Sequence, residues 1–88
     1  MAIRYDPAKA AANLRKHGVS FADAEVSPND PLALTMEDKH FVGEQRFITI
    51  GMGGAGELLL VVWTGPGDDH RIISARRPTR KERKNYES

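Results

Sequence analysis

The 88-residue sequence contains no cysteine, only one tryptophan, and no long apolar run. The absence of cysteine excludes a disulfide framework and any zinc site with thiolate ligands. A membrane-spanning helix needs roughly 18–20 apolar residues, whereas the longest apolar stretch, Leu58 to Trp63, has the length of a buried strand. The first residues, Met1 to Asp6, lack the apolar segment of a signal peptide. We therefore expect a cytoplasmic protein without membrane contact, folded as one domain over residues 1–88.

Charge is distributed unevenly, although the net charge of the chain is only +1. Residues 71–88 contain seven basic and two acidic residues and carry a net charge of +5, whereas residues 1–70 carry −4. Five of those seven basic residues are arginines, whose planar guanidinium binds phosphate through two parallel hydrogen bonds. The C-terminal segment therefore indicates a polyanionic partner, with a solvated basic helix as the alternative reading.

Capping residues and hydrophobic periodicity predict the element order β-α-α-β-β-β-β-α. Asp6-Pro7 begins a helix, Gly18 ends it, and Thr79 with Glu82 forms a capping box before the last helix. The short turns between the later strands predict an antiparallel sheet covered on one face by the two N-terminal helices, which is an α+β fold. Strands are expected at 3–5, 32–37, 45–52, 57–64 and 70–76, and helices at 8–17, 21–26 and 80–87.

The helical period assigns the residues of the first helix to two stripes. One stripe is expected to pack inward, and the other is expected to face water or a ligand. The inward stripe consists of Ala10, Leu14 and His17, and the outward stripe of Lys9, Asn13 and Lys16.

Two familiar kinds of site are disfavoured. The glycine-rich stretch Gly53–Gly56 joins two strands and lacks the lysine and Ser/Thr of a phosphate-binding loop, so it is interpreted as a hairpin turn. The three histidines lie far apart and show no ligand-pair spacing, so neither a metal site nor a cofactor is predicted. A paired-carboxylate acid/base site stays open, although the acidic residues fall mostly in predicted turns and caps.

The arginine-rich segment is the strongest candidate for chemistry. If it cleaves RNA, Arg76 and Arg80 are the candidate catalytic arginines, because guanidinium groups stabilise the negative charge that develops on the scissile phosphate. His17 is the candidate for proton transfer, with His70 and Tyr86 also available. Contacts to RNA phosphates are predicted for a further set of basic residues, namely Lys16, Arg71, Arg77, Arg83 and Lys84.

Strand alternation and base stacking give two more expectations. Alternation along the last strand places Arg71 and Arg77 on one face of the sheet and Arg76 on the other. Phe41, Tyr86 or Trp63 could stack on an unpaired base, although Trp63 suits the core better.

Two segments, Lys-His-Gly-Val-Ser-Phe at residues 16–21 and Arg-Ile-Ile-Ser-Ala-Arg at residues 71–76, carry a resemblance to a known family. The sequence resembles, nearly end to end, the BrnT toxins of BrnT–BrnA type II toxin–antitoxin systems. The resemblance implies a RelE-like fold and a metal-independent ribonuclease that inhibits translation. It also implies a BrnA-type antitoxin as partner. The toxin–antitoxin complex would contact operator DNA through the ribbon-helix-helix domain of the antitoxin.

Two other functions remain as alternatives. One is a non-catalytic module that binds nucleic acid or an antitoxin through the same basic surface. The other is a toxin directed at gyrase, which would leave RNA intact.

Overall fold

The computed structural model describes residues 3–38, 43, 45–65 and 69–88. No helix within these residues is long and apolar enough to cross a membrane. The chain forms an α+β fold whose elements follow the predicted order, with one short 3₁₀ helix added. These elements are β1 (Ile3–Arg4), α1 (Pro7–His17), α2 (Phe21–Ala24), the 3₁₀ helix (Ser27–Asn29), β2 (Leu34–Glu37), β3 (Arg46–Met52), β4 (Leu58–Thr64), β5 (His70–Arg76) and α3 (Arg80–Glu87).

The helix ends lie where the capping residues place them. The Asp6 carboxylate accepts a hydrogen bond from the backbone N–H of Ala8 at 2.9 Å. Gly18 ends α1 with a φ of 69°, a left-handed conformation that glycine adopts without strain. Both hydrogen bonds of the capping box between Thr79 and Glu82 are formed at the start of α3.

The five strands form one mixed sheet in the order β1-β5-β4-β3-β2. Strands β2 to β5 are antiparallel to their neighbours. Strand β1 pairs with β5 in the parallel direction and extends the otherwise antiparallel sheet that the sequence predicts. The parallel pairing arises because the chain crosses through α1 and α2 before it builds the antiparallel strands, and β5 then returns beside β1.

A β-bulge in β5 corrects the predicted faces of its arginines. Arg71 lies opposite Thr64 and Arg76 lies opposite Leu60, while the register skips Ile73. Residues directly opposite each other share a face, and Thr64 and Leu60 are four residues apart on β4, so Arg71 and Arg76 lie on the same face. The predicted opposite faces were wrong because the bulge inserts one extra residue into the alternation.

The two faces of the sheet are covered differently. The main core lies between one face and the helices α1 and α2, and α3 packs on the other face, where Tyr86 contacts a smaller apolar cluster. The main core consists of Ile3, Val19, Phe21, Ala24, Leu59, Val61, Trp63, Ile72 and Ala75, and the smaller cluster of Ile50, Leu58 and Leu60.

The orientation of α1 differs from the predicted stripes. Asn13 is only 7% exposed, whereas Leu14 is 52% exposed. The Asn13 carboxamide donates to the carbonyls of Val19 at 3.0 Å and Ala75 at 2.8 Å, and accepts from the N–H of Ala75 at 3.1 Å. The prediction of an outward Asn13 and an inward Leu14 was wrong because a carboxamide matches the hydrogen-bonding groups of a peptide, which β5 presents at this position.

Trp63 belongs to the core. Its ring stacks on Phe47 at a centroid distance of 4.6 Å, and its indole N–H donates to the Thr49 hydroxyl at 2.9 Å. Trp63 is buried and is therefore not placed to stack on a base. Phe41, the other residue named only for stacking, lies outside the described residues.

Candidate active site

Most of the predicted basic residues lie at one end of the molecule. Because β4 and β5 are antiparallel, the end of β5 lies beside the β3–β4 turn. Arg76 ends β5 there and contacts α3, and Arg77 follows it and contacts the C-terminus of α1. We call this region the hairpin end. It is formed by the β3–β4 turn, residues 76–77, helix α3 and the last turn of α1.

Arg71 lies at the opposite end of β5. It lies five positions before Arg76, which corresponds to about 16 Å along a strand. It lines a cleft of about 250 Å³ together with Arg46 and Lys9, near the start of α1. The structure therefore does not bring Arg71 together with the residues of the hairpin end.

A groove of about 510 Å³ lies between the β3–β4 turn and α3, and we call it the α3 groove. Arg77 and Arg83 contribute positive charge to its lining, Glu57 and Glu87 contribute carboxylates, and Tyr86 contributes a phenol. Met52, Gly56, Leu58 and Pro78 complete the lining. The remaining basic residues predicted at this end, Lys16, Arg80 and Lys84, are exposed on α1 and α3.

Arg76 is held by Glu82 of α3. Its two terminal nitrogens donate to the two carboxylate oxygens of Glu82 at 2.9 and 3.0 Å, and one also donates to the Arg77 carbonyl at 3.2 Å. The hydrogen bond from Arg76 lowers the pKa of Glu82 to about 2 and raises that of Arg76. These bonds use three of the five N–H donors of a guanidinium, which leaves two for a phosphate.

The Arg76–Glu82 pair predicts a pH dependence of stability. A carboxyl group whose pKa falls on folding from 4.5 to about 2 stabilises the folded state above about pH 4.5 and loses that contribution as the pH falls toward 2. Since both side chains are partly exposed, we expect Glu82→Gln to lower the free energy of unfolding by about 1 kcal/mol at pH 7. The difference from wild type should disappear toward pH 2, as measured by urea denaturation; a difference that persists there would contradict this assignment.

Arg77 connects three elements at the hairpin end. Its guanidinium lies 3.0–3.1 Å from the Glu57 carboxylate, which precedes β4, and donates to the backbone carbonyl of His17 at 3.3 Å. Arg77 thereby caps the negative C-terminus of α1 and holds the β3–β4 turn beside it. The Glu57–Arg77 pair forms part of the α3 groove and also of a smaller cavity of about 140 Å³ on the α1 side.

Tyr86 anchors the other end of α3. Its hydroxyl donates to the Asp30 carboxylate at 2.6 Å, and the other oxygen of Asp30 accepts from the Leu32 N–H. The Asp30 oxygen bound by Tyr86 also accepts from the N–H of Met52 on β3. The hydrogen bond to Asp30 raises the pKa of Tyr86, so this phenol is a poor proton donor in the groove.

The histidines named for proton transfer lie at opposite ends. His70 begins β5, packs edge-on against Trp63, and has a buried Nδ1 without a hydrogen-bond partner among the described residues. His17 ends α1 at the hairpin end, with its carbonyl bound to Arg77. No group of three or more His, Asp or Glu side chains in the described part of the chain is arranged to hold a metal ion.

Comparison with known proteins identifies the family. The family model for "Ribonuclease toxin, BrnT, of type II toxin-antitoxin system" matches residues 5–82. The chain belongs to the BrnT family. The crystal structure of the Brucella abortus ribonuclease toxin BrnT superimposes on this BrnT chain with a TM-score of 0.68 and 26% sequence identity, over 91% of this chain and 99% of that one. A search of curated proteins finds no match.

The sequence interpretation missed two residues of this BrnT site. Glu57 begins a predicted strand and was given no role in the site, and Asp30 falls in a predicted break between elements. The signal for Glu57 was available, because antiparallel pairing of the last two strands brings the start of β4 next to Arg77. Asp30 had no such signal, since its partners Tyr86 and Met52 are distant in sequence.

Proposed function

We propose that this chain is a metal-independent endoribonuclease that cleaves RNA at the hairpin end and thereby inhibits translation in the cytoplasm. The observation that carries the proposal is that Arg77 and Arg83 line one groove, with Arg76 hydrogen-bonded to the Arg77 carbonyl, in a member of a ribonuclease toxin family. Two guanidinium groups in the groove and a third beside it suit a dianionic phosphorane, because they stabilise the negative charge that develops during cleavage.

We assign the proposed roles from the chemistry of each side chain. Arg76, through the N–H groups that Glu82 leaves, and Arg80 contact the scissile phosphate, and His17 transfers a proton. The other predicted basic residues bind the RNA backbone, with Arg71 contacting a distant part of the strand. These residues are Lys16, Arg71, Arg77, Arg83 and Lys84.

We further propose that the partner of this toxin is a BrnA-type antitoxin with a ribbon-helix-helix domain. Membership of a type II toxin–antitoxin family supports a protein antitoxin. In this proposal the antitoxin neutralises the toxin and supplies the contact with operator DNA, while the toxin itself binds RNA.

Controlled expression in a bacterial host tests the proposed activity, with growth and transcript integrity followed together. We expect the wild-type chain to arrest growth while transcripts shorten, and Arg76→Ala/Arg80→Ala to do neither, with cleavage by the purified protein in EDTA reduced about 100-fold or more. Arg4→Ala/Arg15→Ala is the matched control, because it removes two positive charges without a proposed role.

Each other outcome supports a different function. Growth arrest with intact RNA and broken DNA would contradict the ribonuclease proposal and support a gyrase-directed toxin. No arrest from a folded protein that still protects RNA would support a non-catalytic binding module.

A further inference from the structure

Cleavage of RNA without a metal ion requires two proton transfers. The ribose 2′-hydroxyl must lose a proton, and the departing 5′-oxygen must gain one. Among the residues named for this task, the Tyr86 hydroxyl is held in a hydrogen bond to Asp30, and His70 lies beside Trp63 at the opposite end of β5. His17 therefore remains as the candidate proton donor at the hairpin end, where its carbonyl contacts Arg77, and the proton acceptor is left unassigned.

Glu57 occupies the position that an acceptor needs. Its carboxylate lies 3.0 Å from a terminal nitrogen of Arg77, whose guanidinium also contacts the His17 carbonyl. The Glu57 side chain is 54% exposed, and it lines both the α3 groove and the smaller cavity on the α1 side. The Arg77 guanidinium thus contacts both the Glu57 carboxylate and the backbone carbonyl of His17.

The fold itself has little need for this carboxylate. An exposed ion pair contributes roughly 0–1 kcal/mol to stability, and both partners of the Glu57–Arg77 pair are about half exposed. Arg77 also donates a hydrogen bond to the His17 carbonyl, which does not involve Glu57. Glu57 is therefore a residue whose removal tests chemistry rather than folding.

Resting on the proposed ribonuclease function, we infer that Glu57 is the catalytic proton acceptor of this site. The Glu57 carboxylate removes the proton of a ribose 2′-hydroxyl, and the 2′-oxygen forms a bond to the adjacent phosphorus. The bond from phosphorus to the 5′-oxygen breaks, and that oxygen takes a proton from the His17 imidazolium. The products are a 2′,3′-cyclic phosphate and a 5′-hydroxyl end, and both side chains regain their starting states by exchanging a proton with water.

The test uses the purified full chain and a labelled single-stranded RNA, presented free and on bacterial ribosomes, in EDTA. Single-turnover cleavage is measured from about pH 4 to 8 for wild type, Glu57→Gln and Glu57→Asp. We expect Glu57→Gln to cleave about 100- to 10,000-fold more slowly and to lose the acidic limb of the rate–pH profile, and Glu57→Asp to retain both in part. Glu37→Gln, which removes one carboxylate from the exposed strand β2, is the matched control and should cleave as wild type does.

Binding of non-cleavable RNA separates a proton acceptor from a residue that only positions Arg77. The Kd of Glu57→Gln for RNA with 2′-O-methyl riboses should stay within about threefold of the wild-type value. If binding and cleavage are lost together, Glu57 acts through Arg77 and the inference is wrong. Loss of cleavage in Glu87→Gln, but not in Glu57→Gln, would assign the role to the other groove carboxylate.

The experiment distinguishes failure of the proposed ribonuclease function from failure of the role assigned to Glu57. A wild-type chain that leaves RNA intact under both presentations would refute the ribonuclease function itself. A wild-type chain that cleaves RNA while Glu57→Gln cleaves equally fast would refute only the role of Glu57.

Discussion

Asn13→Asp is expected to lower the free energy of unfolding by about 3 kcal/mol at pH 7, because it places a carboxylate against the carbonyl oxygens of Val19 and Ala75. The substitution keeps the shape of the side chain and removes only the NH₂ donor that both carbonyls use. A loss of that size is a large share of the stability of a small domain, which is of order 5–15 kcal/mol. Urea denaturation followed by circular dichroism measures it.

The effect of Asn13→Asp should depend on pH in a characteristic direction. Burial beside carbonyl oxygens raises the pKa of the introduced carboxyl, because the charged form is disfavoured there. The destabilisation is therefore smaller near pH 4, where the carboxyl holds a proton, and larger near pH 7. Asn85→Asp on exposed α3 is the control and should change stability by about 0.5 kcal/mol or less. Equal effects at the two asparagines would contradict the hydrogen bonds described for Asn13.

Gly51→Ala is the second substitution with a large expected effect. A Cβ at this position of β3 would lie 2.3 Å from the backbone oxygen of Ser27 and 3.2 Å from the Cβ of Ala33. Since the nearest obstacle is backbone, the 3₁₀ helix must move away from the sheet, and we expect a loss of about 3 kcal/mol. Thermal and urea unfolding measure the loss.

Gly56→Ala distinguishes crowding from backbone conformation. Gly56 has a φ of 80°, and a Cβ there would meet no atom within 4 Å. Only the left-handed conformation opposes this substitution, at a cost of roughly 1–2 kcal/mol. If Gly51→Ala cost no more than Gly56→Ala, the close packing of β3 on the 3₁₀ helix would not be the reason for glycine at position 51.

The sequence was sufficient to predict the elements because their signals are local. Asp6, Gly18 and the Thr79–Glu82 capping box mark helix ends within a few residues, and alternation marks the strands. The parallel pairing of β1 and the bulge in β5 depend on contacts between distant segments, which no local pattern contains. The burial of Asn13 was missed for the same reason, because a polar residue is read as outward unless its partner on another strand is known.

The sequence predicted the basic residues of the candidate site more fully than its acidic residues. A run of arginines is visible in the sequence, and the structure gathers Arg76, Arg77 and Arg83 at the hairpin end. Their acidic partners are separated by different lengths of chain, since Glu82 lies six residues from Arg76 and Glu57 lies twenty residues from Arg77. The separation of Arg71 from this group follows from the length of β5 alone.

The two edges of the sheet differ in a way that bears on self-association. At one edge, β1 has two residues within the described part of the chain, and the Asn13 carboxamide occupies the N–H and C=O of Ala75 on β5, so that these two groups cannot pair with another strand. At the other edge, all four residues of β2 are exposed. An assembly that grows by edge-to-edge pairing needs two open edges on each molecule. Pairing through β2 alone closes after two copies, and it gives a dimer rather than a fibre.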